Sequence, residues 1–282
     1  MLRTSRKLIV ASHRSEGGFH HVMLIVAIVV IGAIGFVGWK VASHKQKEPA
    51  TNNSALTATS DNKAEIKSGK SSDKPIKHIG VSLDYYDPAT NKAGDFVFTK
   101  ANFSSGIQLL FADYGYVIAG NISSTGQAKS NPQPTFILPL GTKVHSLVDG
   151  EVFNVPKLYS DDYSVMVQPD GSNLVFETEH VKNVLVKKGD KVKAGDVIAE
   201  VSDYSAHGYN GLGLVEIGVL KGGNPPQHLC PFTYLDDSVK DDIQKKIKAL
   251  YKSWEEYRGD DSLYDESKHV VPGCYSLTPI DG

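Results

Sequence analysis

Histidine, cysteine and carboxylate side chains carry most of the chemistry open to this chain, so their spacing comes first. Ten histidines occur along 282 residues. A metal site could in principle be assembled from His145, His207 and His228 with Asp203 or Glu216, but no spacing among them follows a metal-ligand pattern. A lone His180 reads as a solvated or hydrogen-bonded strand residue. Cys230 and Cys274 are not in redox or zinc spacing; in an oxidising compartment they suit a disulfide that ties the C-terminal tail to the end of the preceding segment, and two separate buried thiols are the other reading. There is no serine nucleophile elbow, phosphate loop or dinucleotide fingerprint. Lys187, Lys188, Lys191 and Lys193 alternate with glycine and valine as on a solvated hairpin edge. A formal net charge of −2 gives no basic excess for nucleic acid, which is excluded as a partner on that ground.

The elements that would position these residues follow from hydropathy. Val22 to Trp39 is an unbroken apolar run, long enough to cross a bilayer core as a helix, and a membrane span is expected over 22–41. Arg3, Arg6, Lys7 and Arg14 precede it with only Glu16 opposing, which places residues 1–21 in the cytoplasm and everything after the span outside. Residues 42–78 are Lys, Ser, Asn, Ala and Thr with almost no large apolar side chain, the composition of a flexible linker. Past Ile79, short alternating runs broken by Gly, Asn, Asp and Pro read as strands at 95–99 and 115–119, then at 142–148, 151–155, 163–168, 173–179, 184–187, 197–201 and 212–220. So many short strands predict a mainly β ectodomain, an antiparallel sandwich or barrel-sandwich hybrid. One helix is predicted over 237–257: Ile243, Ile247, Leu250, Trp254 and Tyr257 recur at helical spacing, Asp236 suits the N-cap, and Gly259 can end it. The ectodomain then divides into a β-rich part at 79–130, a β module at 131–235, and the helix with its tail at 236–282.

Two segments of the module carry a resemblance. PLGTKVHSLVDGEV, from Pro139 to Val152, holds a proline-Gly-Thr turn, a strand and an Asp-Gly turn feeding another strand; VKKGDKVKAGDVIAEV, from Val186 to Val201, turns tightly at Gly189 and Gly195. In order and position they resemble the entry and the hairpin of the lysostaphin and LytM-type zinc endopeptidases, whose duplicated hybrid motif forms a grooved antiparallel sheet that cleaves peptide cross-links of peptidoglycan. The resemblance implies that ligands fall at defined places. Counting back from Pro139, the family's H-x-x-x-D meets Asn131 and Thr135; its H-x-H-F-E-I strand meets LGLVEI, so Leu212 stands for a general-base histidine and Leu214 for the third zinc ligand. His180 keeps the place of a second catalytic histidine that assists without binding metal. No histidine lies between His78 and His145, so the first ligand cannot be regained by shifting the alignment.

The expectation is a membrane-anchored, extracytoplasmic envelope protein with no bound cofactor, whose degenerate endopeptidase-like domain binds peptidoglycan or regulates a wall hydrolase. A divergent zinc endopeptidase acting on the same cross-links is the alternative. An export adaptor of the membrane-fusion type comes last, because no heptad-rich insertion interrupts residues 151–186.

Overall fold

The computed structural model describes residues 73–103, 108–122, 126, 128–203, 211–223 and 225–281. The basic segment, the apolar run 22–41, the linker up to residue 72 and His207 lie outside the described residues. Among the described residues no helix is long and apolar enough to cross a membrane. The chain divides into two units, 1–57 and 58–282, and all described residues belong to the second.

That unit is mainly β with one long helix. Its strands are β1 (Lys92–Ala93), β2 (Phe96–Val97), β3 (Phe111–Ala112), β4 (Val117–Ile122), β5 (Ala128–Ser130), β6 (Thr135–Pro139), β7 (Lys143–His145) and β8 (Gly150–Asn154). After these come β9 (Tyr163–Gln168), β10 (Leu174–Lys182), β11 (Lys191–Val192), β12 (Val197–Val201), β13 (Leu212–Lys221), β14 (Gln227–Leu229) and β15 (Ile280–Asp281). An 11-stranded sheet runs in the order β11-β8-β9-β10-β13-β14-β15; β6 joins β13 to β3, and β12 joins β10 to β7. Residues 184–187 differ from expectation: they form no strand, and Leu185 makes a single backbone bond, to Ile198 O, before the chain turns at Gly189. Gly189 and Gly195 adopt φ of 91° and 89°, values that favour glycine, at the two turns of the lysine-rich segment. Its lysines meet nearby carboxylates at the surface, Lys191 with Asp170 and Glu151, and Lys187 with Asp190.

Register sorts the side chains of the central strands onto two faces, because directly paired residues share a side and successive ones alternate. Phe176 pairs with Val219 and Thr178 with Ile217. Val215 pairs with Phe136. These belong to the core face, where Phe136 meets Phe96 and Phe111 edge-on. The other face carries Thr135 opposite Glu216, Glu216 opposite Glu179, and Glu177 opposite Gly218.

The helix, α1 (Asp237–Arg258), begins where the Asp236 carboxylate accepts from Ser238 N–H and ends at Gly259, left-handed at φ 72°. Its buried stripe is Ile247, Leu250, Tyr251 and Trp254. Trp254 packs edge-on against Phe98 and donates its indole N–H to Gln108 O at 2.9 Å. A disulfide joins Cys230 to Cys274, and β15 pairs with β14, so the tail returns to the sheet. The core also extends back to Ile76, which is 1% exposed and whose N–H donates to Tyr234 O, inside the stretch whose composition reads as linker.

Candidate functional site

The second face of the central strands buries acid. Glu177 and Glu179 come from β10 and Glu216 from β13; Glu179 and Glu216 are direct cross-strand partners, an arrangement in which like charges repel. Glu177 is 2% exposed and depends on Gly218, where an added Cβ would come within 2.6 Å of its Oε1. Gln133 Nε2 donates to Glu177 Oε1 at 2.9 Å, and the Ser164 hydroxyl reaches Oε2 at 3.4 Å.

A bulge brings histidine into this nest. The register of β9 on β10 shifts between Thr178 and Val181, and His180 sits there at φ 56°. A bulge re-aims side chains, and a bulky residue in the left-handed region is strained, so the local fold holds His180 against its own backbone preference. Its Nδ1 donates to Asp162 Oδ2 at 3.0 Å, Asp162 also receives the Ser160 hydroxyl, and Nε2 lies 3.9 Å from Glu216 Oε2. The Tyr159 ring stands edge-on at 6.4 Å and is 60% exposed, which marks the outer side of the cluster.

Ionisation follows from these surroundings. Burial first, then the Glu179 charge, pushes Glu177 well above the usual carboxylate range. Burial and Glu216 raise Glu179 to about 7. Glu216 is also raised, chiefly by burial of its carboxyl group, although 21% of its side chain reaches the surface; the positive charge of His180 and the Thr135 hydrogen bond oppose the rise. Burial alone would lower His180, but its hydrogen bond with Asp162 and the charges of Glu216, Asp162 and Glu179 outweigh it and hold the imidazole above its ordinary value. Burial would likewise raise Asp162, and the bonds from His180 and Ser160 bring it below its ordinary value instead. On the neighbouring β14, His228 is pushed down to about 4 by burial and then by the Lys129 charge.

Residues 134–218 match the model of Peptidase family M23. This module is an M23 peptidase domain. No curated protein matches the chain. Among solved structures, the catalytic domain of the prophage-encoded M23 protein EnpA from Enterococcus faecalis is 25% identical over 44% of this chain and 88% of that one, with a TM-score of 0.34. The catalytic domain of lysostaphin from Staphylococcus simulans is 19% identical over 44% and 88%, at 0.35. The SpoIIQ–SpoIIIAH pore-forming complex aligns at 14% identity over 58% and 96%, at 0.34.

M23 peptidases use zinc, and a catalytic zinc takes three protein ligands with the fourth position open. In the M23 domain of this chain side-chain contacts link three of the five residues singled out for that place by motif, and register sets the other two on the same sheet face. Asn131 Nδ2 donates to Thr135 Oγ1 at 3.3 Å and to Asp113 O at 3.2 Å. The Thr135 hydroxyl donates to Glu216 Oε1 at 3.0 Å, and Glu216 faces His180. Leu214, opposite Ile137, and Leu212, opposite Pro139, share the face of β13 that carries Glu216; Leu214 is buried there and Leu212 is half-buried against apolar neighbours. An amide nitrogen already donating, a hydroxyl already donating and an alkyl chain do not make a zinc donor set. The other histidines do not supply one: His145 Nδ1 bonds Gly195 O on the hairpin, its ring lies beside His78, and His228 sits on β14. Among the described residues no three His, Cys, Asp or Glu side chains are grouped to hold a metal ion.

Glu177, Glu179, Asp162 and Gln133 were not singled out by motif. Glu177 and Glu179 alternate along a strand, a pattern that ordinarily marks a solvated face, and only the closing of β6, β9 and β13 around β10 buries them. Their one sequence signal was position, immediately before His180.

Proposed function

We propose that this chain is an extracytoplasmic envelope protein, held in the cell membrane by residues 22–41, whose M23 domain binds peptidoglycan peptides or regulates a wall hydrolase without cutting the wall itself. The observation that carries the reading is the chemistry at the place equated with the zinc site. Asn131 and Thr135 are committed to hydrogen bonds with their neighbours, Leu214 is alkyl, and Leu212 stands where the family has its general base. Loss of the donor set removes the activated water on which the peptidase reaction depends. What remains is a polar cluster of Glu216 and His180 with the exposed Tyr159 beside it, suited to recognition.

The test uses the detergent-solubilised full chain and purified wall sacculi. Co-sedimentation with sacculi, and no new free amino groups released from them, is the expected result. Release of cross-link fragments at a rate above that of a Glu216→Ala variant would show an active peptidase and overturn the proposal.

A further inference from the structure

We propose that Glu177, Glu179, Glu216 and His228 form a receptor for a primary ammonium group carried on a slender arm of a wall peptide, an inference that rests on the binding function above. The three carboxylates gather on one sheet face with a single neighbouring cation, His180, which Asp162 already holds. Among the described residues no lysine or arginine makes an ion pair with any of the three. Lys129, exposed on β5, reaches Glu216 and His228 only through its field.

His228 is the second, independent sign of an unmet polar group at the nest. Its side chain is 8% exposed, its Nδ1 has no hydrogen-bond partner, and that atom lies 3.9 Å from Glu177 Oε1, aimed at the nest. An unpaired buried ring nitrogen, donor or acceptor by tautomer, costs about 1–3 kcal/mol, so it is seldom left so without a reason. An ammonium group has three donors and no acceptor, and it answers a ring of acceptors in a way that a hydroxyl or amide cannot. Spacing favours it over a metal ion as well. Charge-assisted N–H···O bonds span about 2.7–2.9 Å, against roughly 2.0–2.2 Å for zinc to oxygen, and the acceptors here are not drawn together closely enough for the latter. Entry would be from the Glu216 side, where 21% of the side chain is open, past Tyr159.

Such an ammonium has two sources in a wall: the side-chain amine of an unlinked diamino acid, and the free amino terminus of a short peptide bridge. The experiment is calorimetric titration of the full chain in detergent with three synthetic stem peptides: one with a free side-chain amine, the same peptide acetylated there, and one ending in a free glycine-bridge amino terminus. Acetylation is expected to weaken binding at least tenfold. Glu216→Gln and Glu177→Gln should each weaken the free-amine peptide and leave the acetylated one unchanged, and the tighter of the two amine peptides identifies the source. Equal affinity for free and acetylated peptides overturns the ammonium receptor while leaving peptide binding intact. Binding abolished by a chelator overturns it in favour of a metal. No binding of any of the three peptides sinks both this inference and the reading on which it rests.

Discussion

Two acidic centres lie buried in this protein, and they are built differently. At the first, Asp113, fully buried, has one carboxylate oxygen held by the Tyr251 hydroxyl with His269 Nε2 3.1 Å away; Tyr251 is stacked between Tyr264 and His269. Those partners come from α1 and the C-terminal tail, so the acid fastens peripheral elements to the strands. At the second, Glu177, Glu179 and Glu216 share one face with few donors, beside a strained histidine and an unpaired His228 nitrogen. Both centres keep buried polar atoms without hydrogen-bond partners, Asp113 Oδ2 and His269 Nε2 at the first and His228 Nδ1 at the second. They differ in composition: the first sets one acid among aromatic side chains of α1 and the tail, whereas the second gathers three acids whose mutual repulsion opposes folding.

Four sets of substitutions should affect the two centres to different degrees. The largest effect is expected at the first centre: Tyr251→Ala should cost about 3–5 kcal/mol in urea unfolding, because it opens a cavity under α1 and strips Asp113 of its hydroxyl donor. Next, Cys230→Ser with Cys274→Ser should cost about 2–4 kcal/mol by the same assay, since the bridge closes a loop with a sequence separation of 44.

The third effect belongs to the acidic nest and appears as pH dependence. The Glu179 carboxyl is held at about 7 in the folded protein against an ordinary 4.5, with Glu216, Glu177, His180 and Asp162 around it. Folding therefore favours the protonated acid. That contribution is whole below pH 4.5 and is lost as pH rises through about 7, a decline on the order of 2–3 kcal/mol that Glu179→Gln should flatten in unfolding curves taken at pH 5 and pH 8. Smallest is Glu177→Gln, which keeps shape and removes a disfavoured charge; it should change stability by less than about 1 kcal/mol at pH 8, in the stabilising direction. A loss as large as that of Tyr251→Ala would make the nest a structural centre like Asp113 and end the contrast.

Local patterning made much of the fold legible. Tyr163–Gln168 and Val197–Val201 begin and end where alternation places them, and α1 follows its apolar spacing from Asp237 to one residue past Tyr257. Tyr251 escaped the helical stripe although it lies four residues after Ile247, because a tyrosine hydroxyl has no visible reason to be buried until Asp113 is found opposite it. Residues 184–187 read as a strand because of their apolar run, yet beside β12 only Leu185 N–H makes a bond, to Ile198 O, and one bond does not build a ladder. At the site, motif counting placed Asn131, Thr135 and His180 together before any geometry was known. Glu177 and Glu179 stayed hidden because burial is a property of what closes over a strand, and Asp162 because its approach to His180 depends on a bulge that no residue type announces.

The claim at the centre is that an M23 scaffold here recognises wall peptides after losing the donors for zinc. It is tested most directly by the zinc content of the full chain purified without chelators, measured by atomic emission against protein concentration. Zinc well below one per chain, unchanged by Asn131→Ala or Thr135→Ala, is the expected result; one zinc per chain, lost in either variant, would contradict it.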